Sequence, residues 1–392
     1  MQNTLQFVIR RHGNFLYTPR PSVFAVLYGL YNHCWADNTL RESENLEMNK
    51  QNKLPPNPPS GIKPDYERLY GVGTHGPLDE DIIVEVLHTE LTPRFQECHV
   101  AIEQSWPYLR QTQEAKDFLK AYSAFREITQ IYPMTAKNWH SGERIPLVHA
   151  EEVANDAIAL AFQAHYKHAY QSLREIFELT VLQVHFYKVQ DKSIVGQWGR
   201  GEMRTPTLKE MLNQLGQDSL YKIANDKMGI SKKIFTVYDD LGAYVHTRGV
   251  PTISMGLTGS NIITFTPEAL ERFLTLFAKV SHLCVIFLAI FFPTAIIYIS
   301  GFEKFGHLVP IWLPRKDHVN AIRAVLPTTE LQLLENLASQ NTWFQQILAK
   351  VNTLPDLNKA EIHDTYTQLE SASKQGPARL IQLLKETNKV LE

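Results

Sequence analysis

Residues 169–185, AYQSLREIFELTVLQVH, carry the pattern that decides the fold. Apolar residues recur there every three to four positions, so a helix over this stretch has one apolar side and one polar side. This spacing predicts a long amphipathic helix from about residue 149 to residue 190. Its polar side, named the polar stripe below, consists of Lys167, Gln171, Arg174, Glu178, His185 and Lys188.

The polar stripe has two interpretations. A charged helix face is most often exposed to solvent, and Arg174 with Glu178 would then be a surface pair worth about 0.3 kcal/mol. Alternatively, the stripe faces a cleft of low dielectric constant. In that case Arg174, Glu178 and His185 form a binding stripe for an anionic substrate.

The rest of the chain favours an all-α fold. From residue 81 onward the three-to-four-residue spacing continues, and the alternation typical of strands is scarce. Thr207 and Glu210 form a capping-box pattern, and Thr92-Pro93 is also typical of a helix start. We predict a multi-helix bundle with a buried central helical hairpin near residues 283–299 and an irregular N-terminal arm.

Residues 283–299, LCVIFLAIFFPTAIIYI, are the most apolar run. A membrane-spanning helix needs about 20 apolar residues, and this run is shorter and contains Pro293. It therefore favours a buried helix that is broken near Pro293. A membrane-associated effector inserted through this run stays open as an alternative, although a membrane partner is not expected.

Composition divides the chain into five segments. Residues 1–40 are rich in aromatic positions and are predicted to pack, whereas residues 41–80 hold many prolines and glycines and are predicted to be an arm or linker. A helical lead-in over 81–145 precedes a helical core over 146–260. A C-terminal helical region with apolar central helices then covers 261–392.

Charge and motifs exclude several classes of protein. The net charge is −2, so a role in nucleic-acid binding would depend on a local basic patch, and there is no DNA-binding signature. Three widely spaced cysteines argue against a disulfide framework and a thiolate zinc site. No nucleotide-binding or hydrolase motif occurs. We expect no metal, no cofactor and, since the start lacks a signal-peptide pattern, a cytoplasmic location.

Two stretches together resemble a known family. LREIFEL at 173–179 and YDDLGAYVHTRG at 238–249 look like the paired helices of HEPN-like proteins, which belong to bacterial toxin–antitoxin, abortive-infection and CRISPR-associated systems. The resemblance covers about residues 149–250. It implies a helical domain in which an arginine and a histidine, separated by four to six residues on one helix, form a metal-independent RNA-cleaving site on dimerisation.

The resemblance places His246 at the histidine position. Asp239, Asp240 and Leu241 stand where the arginine is expected, and none of them supplies a cation for the phosphorane charge. Arg248 follows the histidine instead of preceding it.

Three other arginine–histidine pairs have the family's spacing, which is about as many as chance gives. They are Arg68 with His75, Arg94 with His99, and Arg144 with His149. Only Arg94 with His99 is expected on one helix.

The sequence thus leads to ranked hypotheses. The first is a catalytically degenerate HEPN-like component of a prokaryotic antiviral or abortive-infection system, which acts through a protein partner or as a homo-oligomer. The second is an active endoribonuclease that uses His246 with Arg248, or Arg94 with His99. RNA is a partner only in the second hypothesis.

Overall fold

The structure, a computed structural model, describes residues 80–133, 141–246, 248–249, 263–310 and 312–391. Within these ranges all regular elements are helices, and no β-strand occurs. The predicted all-α class is confirmed. The packed segment 1–40 and the arm 41–80, apart from its last residue, lie outside the described residues.

The helices fall in the following order. They are α1 (Glu80–Tyr108), α2 (Gln113–Thr129), α3 (Ile145–Phe162), α4 (Tyr166–Lys188), α5 (Ser193–Gly199), α6 (Leu208–Leu215), α7 (Ser219–Met228), α8 (Ile230–Val245), α9 (Pro267–Phe291), α10 (Gly301–Phe305), α11 (Lys316–Arg323), α12 (Thr328–Gln340), α13 (Thr342–Thr353), α14 (Lys359–Gln375) and α15 (Pro377–Asn388). Two 3-10 turns, Pro293–Ala295 and Gly306–Leu308, flank α10.

The chain divides into two compact units. The larger comprises residues 75–371 and 382–392, and therefore contains α1 to α13 entire. The described residues of the smaller unit are 372–381.

The predicted single helix over 149–190 is wrong, because two helices stand there. Helix α3 ends at Phe162 and α4 begins at Tyr166. Between them Ala164 has a φ of 59°, in the left-handed region that normally favours glycine. The Nε2 atom of His149 lies 3.6 Å from Oε1 of Glu175, so α4 folds back along α3 as a hairpin. An alanine gives no sequence signal for such a turn.

Helix α9 lies at the centre of the larger unit. Ring contacts join it to three neighbours: Phe118 of α2 lies 4.9 Å from Phe277, Tyr221 of α7 5.7 Å from Phe287, and Tyr170 of α4 6.4 Å from Phe273. Every residue from 283 to 291 is buried. The hydrophobic effect of this burial is the main force that gathers the surrounding helices.

The apolar run has the predicted break near Pro293 but not the predicted hairpin. Helix α9 ends at Phe291, and the second arm is only the 3-10 turn Pro293–Ala295. Among the described residues α9 alone is long and apolar enough to span a membrane, yet its most apolar window is largely buried inside the protein. Such burial is typical of the core helix of a soluble protein.

Helix starts were predicted with mixed success. The capping box at Thr207 is present, because its side chain accepts from the Glu210 amide while the Glu210 carboxylate accepts from the Thr207 amide. The predicted start at Thr92-Pro93 is wrong: α1 begins at Glu80 and continues through Pro93. An internal proline removes one helix hydrogen bond and kinks a helix, but it need not end it.

Candidate functional site

The N-terminal part of the polar stripe lies against α8. The Nε2 atom of Gln171 donates to the backbone carbonyl of Tyr244 over 3.2 Å. The Arg174 side chain is only 18% exposed, and Glu178 is 38% exposed. These residues therefore form a polar seam between α4 and α8, which differs from the solvated surface that charged helix faces usually present.

Arg174 is held at three points in this seam. Its Nε donates to Oε1 of Glu178 over 3.1 Å, and its Nη2 donates to the hydroxyl of Tyr238. The guanidinium carbon lies 4.0 Å from the centre of the Tyr238 ring, within the range of a cation–π interaction. The Tyr238 hydroxyl in turn donates to Glu178. The guanidinium is thus fixed in position and orientation.

The third nitrogen of Arg174 faces His246. The distance from Nη1 to Nε2 of His246 is 3.5 Å. An arginine can only donate, so Nε2 is the acceptor in this contact. His246 follows the last residue of α8 and is exposed to solvent. A fixed cation and an accessible base therefore stand side by side.

Helical spacing explains why these side chains meet. Arg174 and Glu178 are one turn apart on α4, and Tyr238, Gly242 and His246 follow one another at four-residue intervals along α8. A Cβ atom added to Gly242 would lie 3.5 Å from Nη1 of Arg174. A methyl group at this position would thus be in ordinary van der Waals contact with the guanidinium.

Tyr238 keeps its proton in this environment. Its pKa is raised to about 12, chiefly by burial and then by the Glu178 carboxylate that accepts its hydrogen bond, whereas Arg174 lowers it by a smaller amount. The hydroxyl is therefore a donor to Glu178 and an acceptor from Arg174 at neutral pH. Its role is to orient the arginine.

Arg248 points elsewhere. Both of its Nη atoms lie 3.2 Å from Oδ1 of Asp239, and the pair is largely exposed. The structure thus pairs Arg248 with Asp239, one of the two aspartates at the positions where the resemblance to HEPN-like proteins leads us to expect an arginine. This pairing neutralises the charge of Asp239 near the site.

Arg94 and His99 are not brought together. They are five residues apart on α1, which places their side chains about 140° apart around the helix. The exposed His99 pairs with Glu103 over 3.3 Å. Arg94 instead lies near His165, whose pKa is lowered chiefly by burial, then by His168, and then by the charge of Arg94.

His185 is separate from the other members of the stripe. It is 11 residues from Arg174, about 16 Å along the helix, and only 5% exposed. Burial lowers its pKa, so the neutral imidazole is favoured. The predicted binding stripe is thus split: Arg174 and Glu178 line the seam with α8, while His185 is part of the interior.

Two contacts were not predicted from the sequence, that of Tyr238 with Arg174 and that of Cys98 with His165. Tyr238 was within the quoted stretch, and its four-residue spacing to Gly242 and His246 is the signal that could have identified it. Cys98 lies 3.5 Å from Nε2 of His165, but 67 residues separate them and no motif links them. Within the described ranges no group of three histidine, cysteine or acidic residues could hold a metal ion.

Comparison with known proteins gives no relative. No family model, no curated protein and no solved structure matches this chain.

Proposed function

We propose that this protein is a metal-independent endoribonuclease of HEPN-like type whose site consists of Arg174 and His246. The observation that supports this most strongly is the 3.5 Å distance between Nη1 of Arg174 and Nε2 of His246. The family resemblance calls for an arginine close to a histidine. In this chain a neighbouring helix supplies the arginine that α8 lacks.

The arrangement suits cleavage of RNA through its own 2′-hydroxyl. The 2′-oxygen attacks the adjacent phosphorus once the exposed 3.5 Å contact from Nη1 of Arg174 to Nε2 of His246 opens, and the freed Nε2 takes the 2′-hydroxyl proton as general base. The bond from phosphorus to the 5′-oxygen breaks, and that oxygen takes a proton from water. The products are a 2′,3′-cyclic phosphate and a 5′-hydroxyl, and no metal or redox partner takes part.

Arg174 would bind the phosphate and stabilise the charge that develops in the transition state. A guanidinium has five N–H donors, and Glu178, Tyr238 and His246 use three of them. Two donors therefore remain for phosphate oxygens. Because Tyr238 and Glu178 already fix the group, little reorganisation is needed when the substrate arrives.

The same contacts favour a second candidate, the degenerate component that acts through protein partners in antiviral defence. Glu178 pairs with Arg174 and offsets part of its charge. A site with this charge balance binds a polyanion less strongly than one with unpaired arginines. Cleavage assays separate the two candidates.

The test uses labelled RNA with purified full-length protein in the presence of EDTA. We expect cleavage with 2′,3′-cyclic phosphate ends, a loss of about 100- to 10,000-fold in His246→Ala, and a loss of about 100- to 1,000-fold in Arg174→Ala. His149→Ala and Lys209→Ala, the second at an exposed cation on α6, are the matched controls and should keep the wild-type rate.

Two outcomes contradict the proposal. Cleavage that persists in His246→Ala would place the chemistry at another histidine or in a contaminant. Failure of the wild-type protein both to cleave and to bind RNA would favour the partner-binding component.

A further inference from the structure

We infer that Lys167, in the first turn of α4, binds a phosphate of the RNA next to the one that is cleaved. This inference rests on the proposed function and extends it, because it assigns a second substrate-binding residue and the direction in which the RNA leaves the site. It comes from the position of Lys167 on the same helix as Arg174, from the point where α8 ends and from the charges along α4.

Helix α4 itself fixes the position of Lys167 relative to Arg174. The two residues are seven positions apart, which is about 10 Å along the helix axis and only about 20° around it. Gln171 lies between them on the same side of the helix, and it donates a hydrogen bond to the carbonyl of Tyr244, two residues before His246. The three side chains therefore form one row that leads from the Arg174–His246 pair to the start of α4.

Helix α8 ends before it reaches the level of Lys167. The two helices are antiparallel along the seam, because Tyr238 contacts Arg174 whereas Tyr244, six residues later, contacts Gln171. Helix α8 ends one residue after Tyr244, and Lys167 lies a further turn along α4. Lys167 is partly exposed, so an RNA strand bound at the end of α8 has access to it.

The charges of α4 differ on the two sides of Arg174. Residues 167–174, KHAYQSLR, contain Lys167 and Arg174 and no acid, whereas Glu175 and Glu178 follow within the next turn. The negative phosphates of RNA are attracted by the first stretch and repelled by the second. A strand that is bound at Arg174 is therefore directed along the row toward Lys167.

The position of Lys167 is unfavourable for the helix itself. The N-terminal end of a helix carries a partial positive charge, so acidic side chains are favoured there and lysine is not. The first turn of α4 nevertheless contains Lys167 and no acidic residue, and the N-cap residue His165 makes no capping hydrogen bond with its side chain. Arg94 and Glu97 of α1 act on this end with opposite signs, Arg94 on His165 and Glu97 on Cys98, and so offset each other. A phosphate at Lys167 would be stabilised by both the ammonium group and the helix dipole.

The experiment compares Lys167→Ala with Lys316→Ala. Lys316 is also an exposed lysine in the first turn of a helix, but that helix, α11, contacts α2 through the pair of His318 with Glu127. On an oligonucleotide substrate we expect Lys167→Ala to raise KM several-fold and to leave kcat unchanged, whereas Lys167→Arg should keep the wild-type KM. On a dinucleotide, which has a single phosphodiester, both alanine variants should match the wild type. A loss on the dinucleotide as large as that on the oligonucleotide would overturn the inference, because no neighbouring phosphate is present there.

Binding gives a readout that does not depend on cleavage. In a His246→Ala background, the affinity for single-stranded RNA is measured against salt concentration. Loss of one phosphate contact reduces the slope of log K against log salt by about 0.7 for a single strand. We expect this decrease in Lys167→Ala and none in Lys167→Arg or Lys316→Ala.

The outcomes separate the inference from the function on which it rests. Cleavage by the wild type with an unchanged KM and salt slope in Lys167→Ala would overturn the role of Lys167 and leave the ribonuclease intact. RNA binding whose salt slope falls in Lys167→Ala, without any cleavage by the wild type, would support the phosphate contact and overturn the ribonuclease. An equal effect of Lys316→Ala would overturn the inference, because only overall charge would then matter. A wild-type protein that neither cleaves nor binds RNA would overturn both.

Discussion

Arg174→Lys tests whether the guanidinium acts on substrate or only joins two helices. The substitution keeps the positive charge but replaces three nitrogens in one plane with a single ammonium. Lysine can retain the pair with Glu178 one turn away. It cannot at the same time reach the Tyr238 hydroxyl and Nε2 of His246, because those two bonds come from different nitrogens of the arginine.

The expected loss of stability is small. Two hydrogen bonds are lost, each worth about 0.5–1.5 kcal/mol in net terms. Since Arg174 is 18% exposed and the contact with His246 is at the surface, water replaces part of that interaction, so we expect about 1 kcal/mol. A domain with about 5 kcal/mol of stability or more stays almost fully folded after such a loss.

The expected loss of activity is much larger. Removal of one fixed donor from a transition-state site costs about 100- to 1,000-fold in rate, which is about 2.7–4 kcal/mol. Cleavage rates at saturating RNA and urea unfolding curves are measured on the same preparations of Arg174→Lys and wild type. Tyr238→Phe, which keeps the ring under the guanidinium but removes the hydroxyl, is the intermediate case.

The reasoning is refuted by a specific combination of results. If Arg174→Lys loses about 1 kcal/mol of stability but retains a kcat within about threefold of the wild type, the guanidinium only joins α4 to α8. The function would then have to be assigned to other residues, and the partner-binding hypothesis would gain support.

Three further predictions concern the fold. Gly306→Ala should lower the free energy of unfolding by roughly 3 kcal/mol in urea titrations, because the residue has a φ of 56° and an added Cβ would overlap Thr365. Gly229→Ala is the matched control: Gly229 has a φ of 63° and nothing within 4 Å of its added Cβ, so the substitution should cost only about 1 kcal/mol. Equal losses of stability in the two variants would contradict the overlap argument. Burial lowers the pKa of His185, so its contribution to stability is present above the unfolded pKa of about 6.5 and is lost as the pH falls through the lower folded value. His185→Gln should therefore flatten the decline of the urea midpoint between about pH 7 and about pH 5. An unchanged slope would show that other groups cause the decline. Burial raises the pKa of Cys284 to about 12. In a variant whose other two cysteines are serine, alkylation of Cys284 should therefore be no faster than global unfolding. Rapid alkylation of the folded protein would instead reveal local opening near α9.

Local patterns predicted the parts of the fold that depend on local interactions. The capping box at Thr207 needs only residues three positions apart, and it is present. The turn at Ala164 was missed because tertiary packing, not residue type, holds an alanine in a left-handed conformation.

The candidate site could be predicted only in part for a related reason. Arg174 with Glu178 and the histidine at 246 were each identified, because each belongs to a local pattern. Their juxtaposition was not, since 72 residues separate Arg174 from His246 and no periodicity reports how two helices pack. The sequence alone therefore predicts that the cation is missing, because the helix of the histidine carries Asp239 and Asp240 where an arginine is expected.

The cation of the candidate site comes from a second helix, so the geometry of the site depends on how the two helices pack. When an arginine and a histidine share one helix, helical geometry alone sets their distance. Here the distance depends on the packing of α4 against α8, which the Tyr170–Tyr244 ring contact and the hydrogen bond from Gln171 maintain. Weakening that packing would separate Arg174 from His246 while the core around α9 remains folded. Activity should therefore be lost at lower denaturant concentrations than helical structure, whereas a same-helix pair would lose both together.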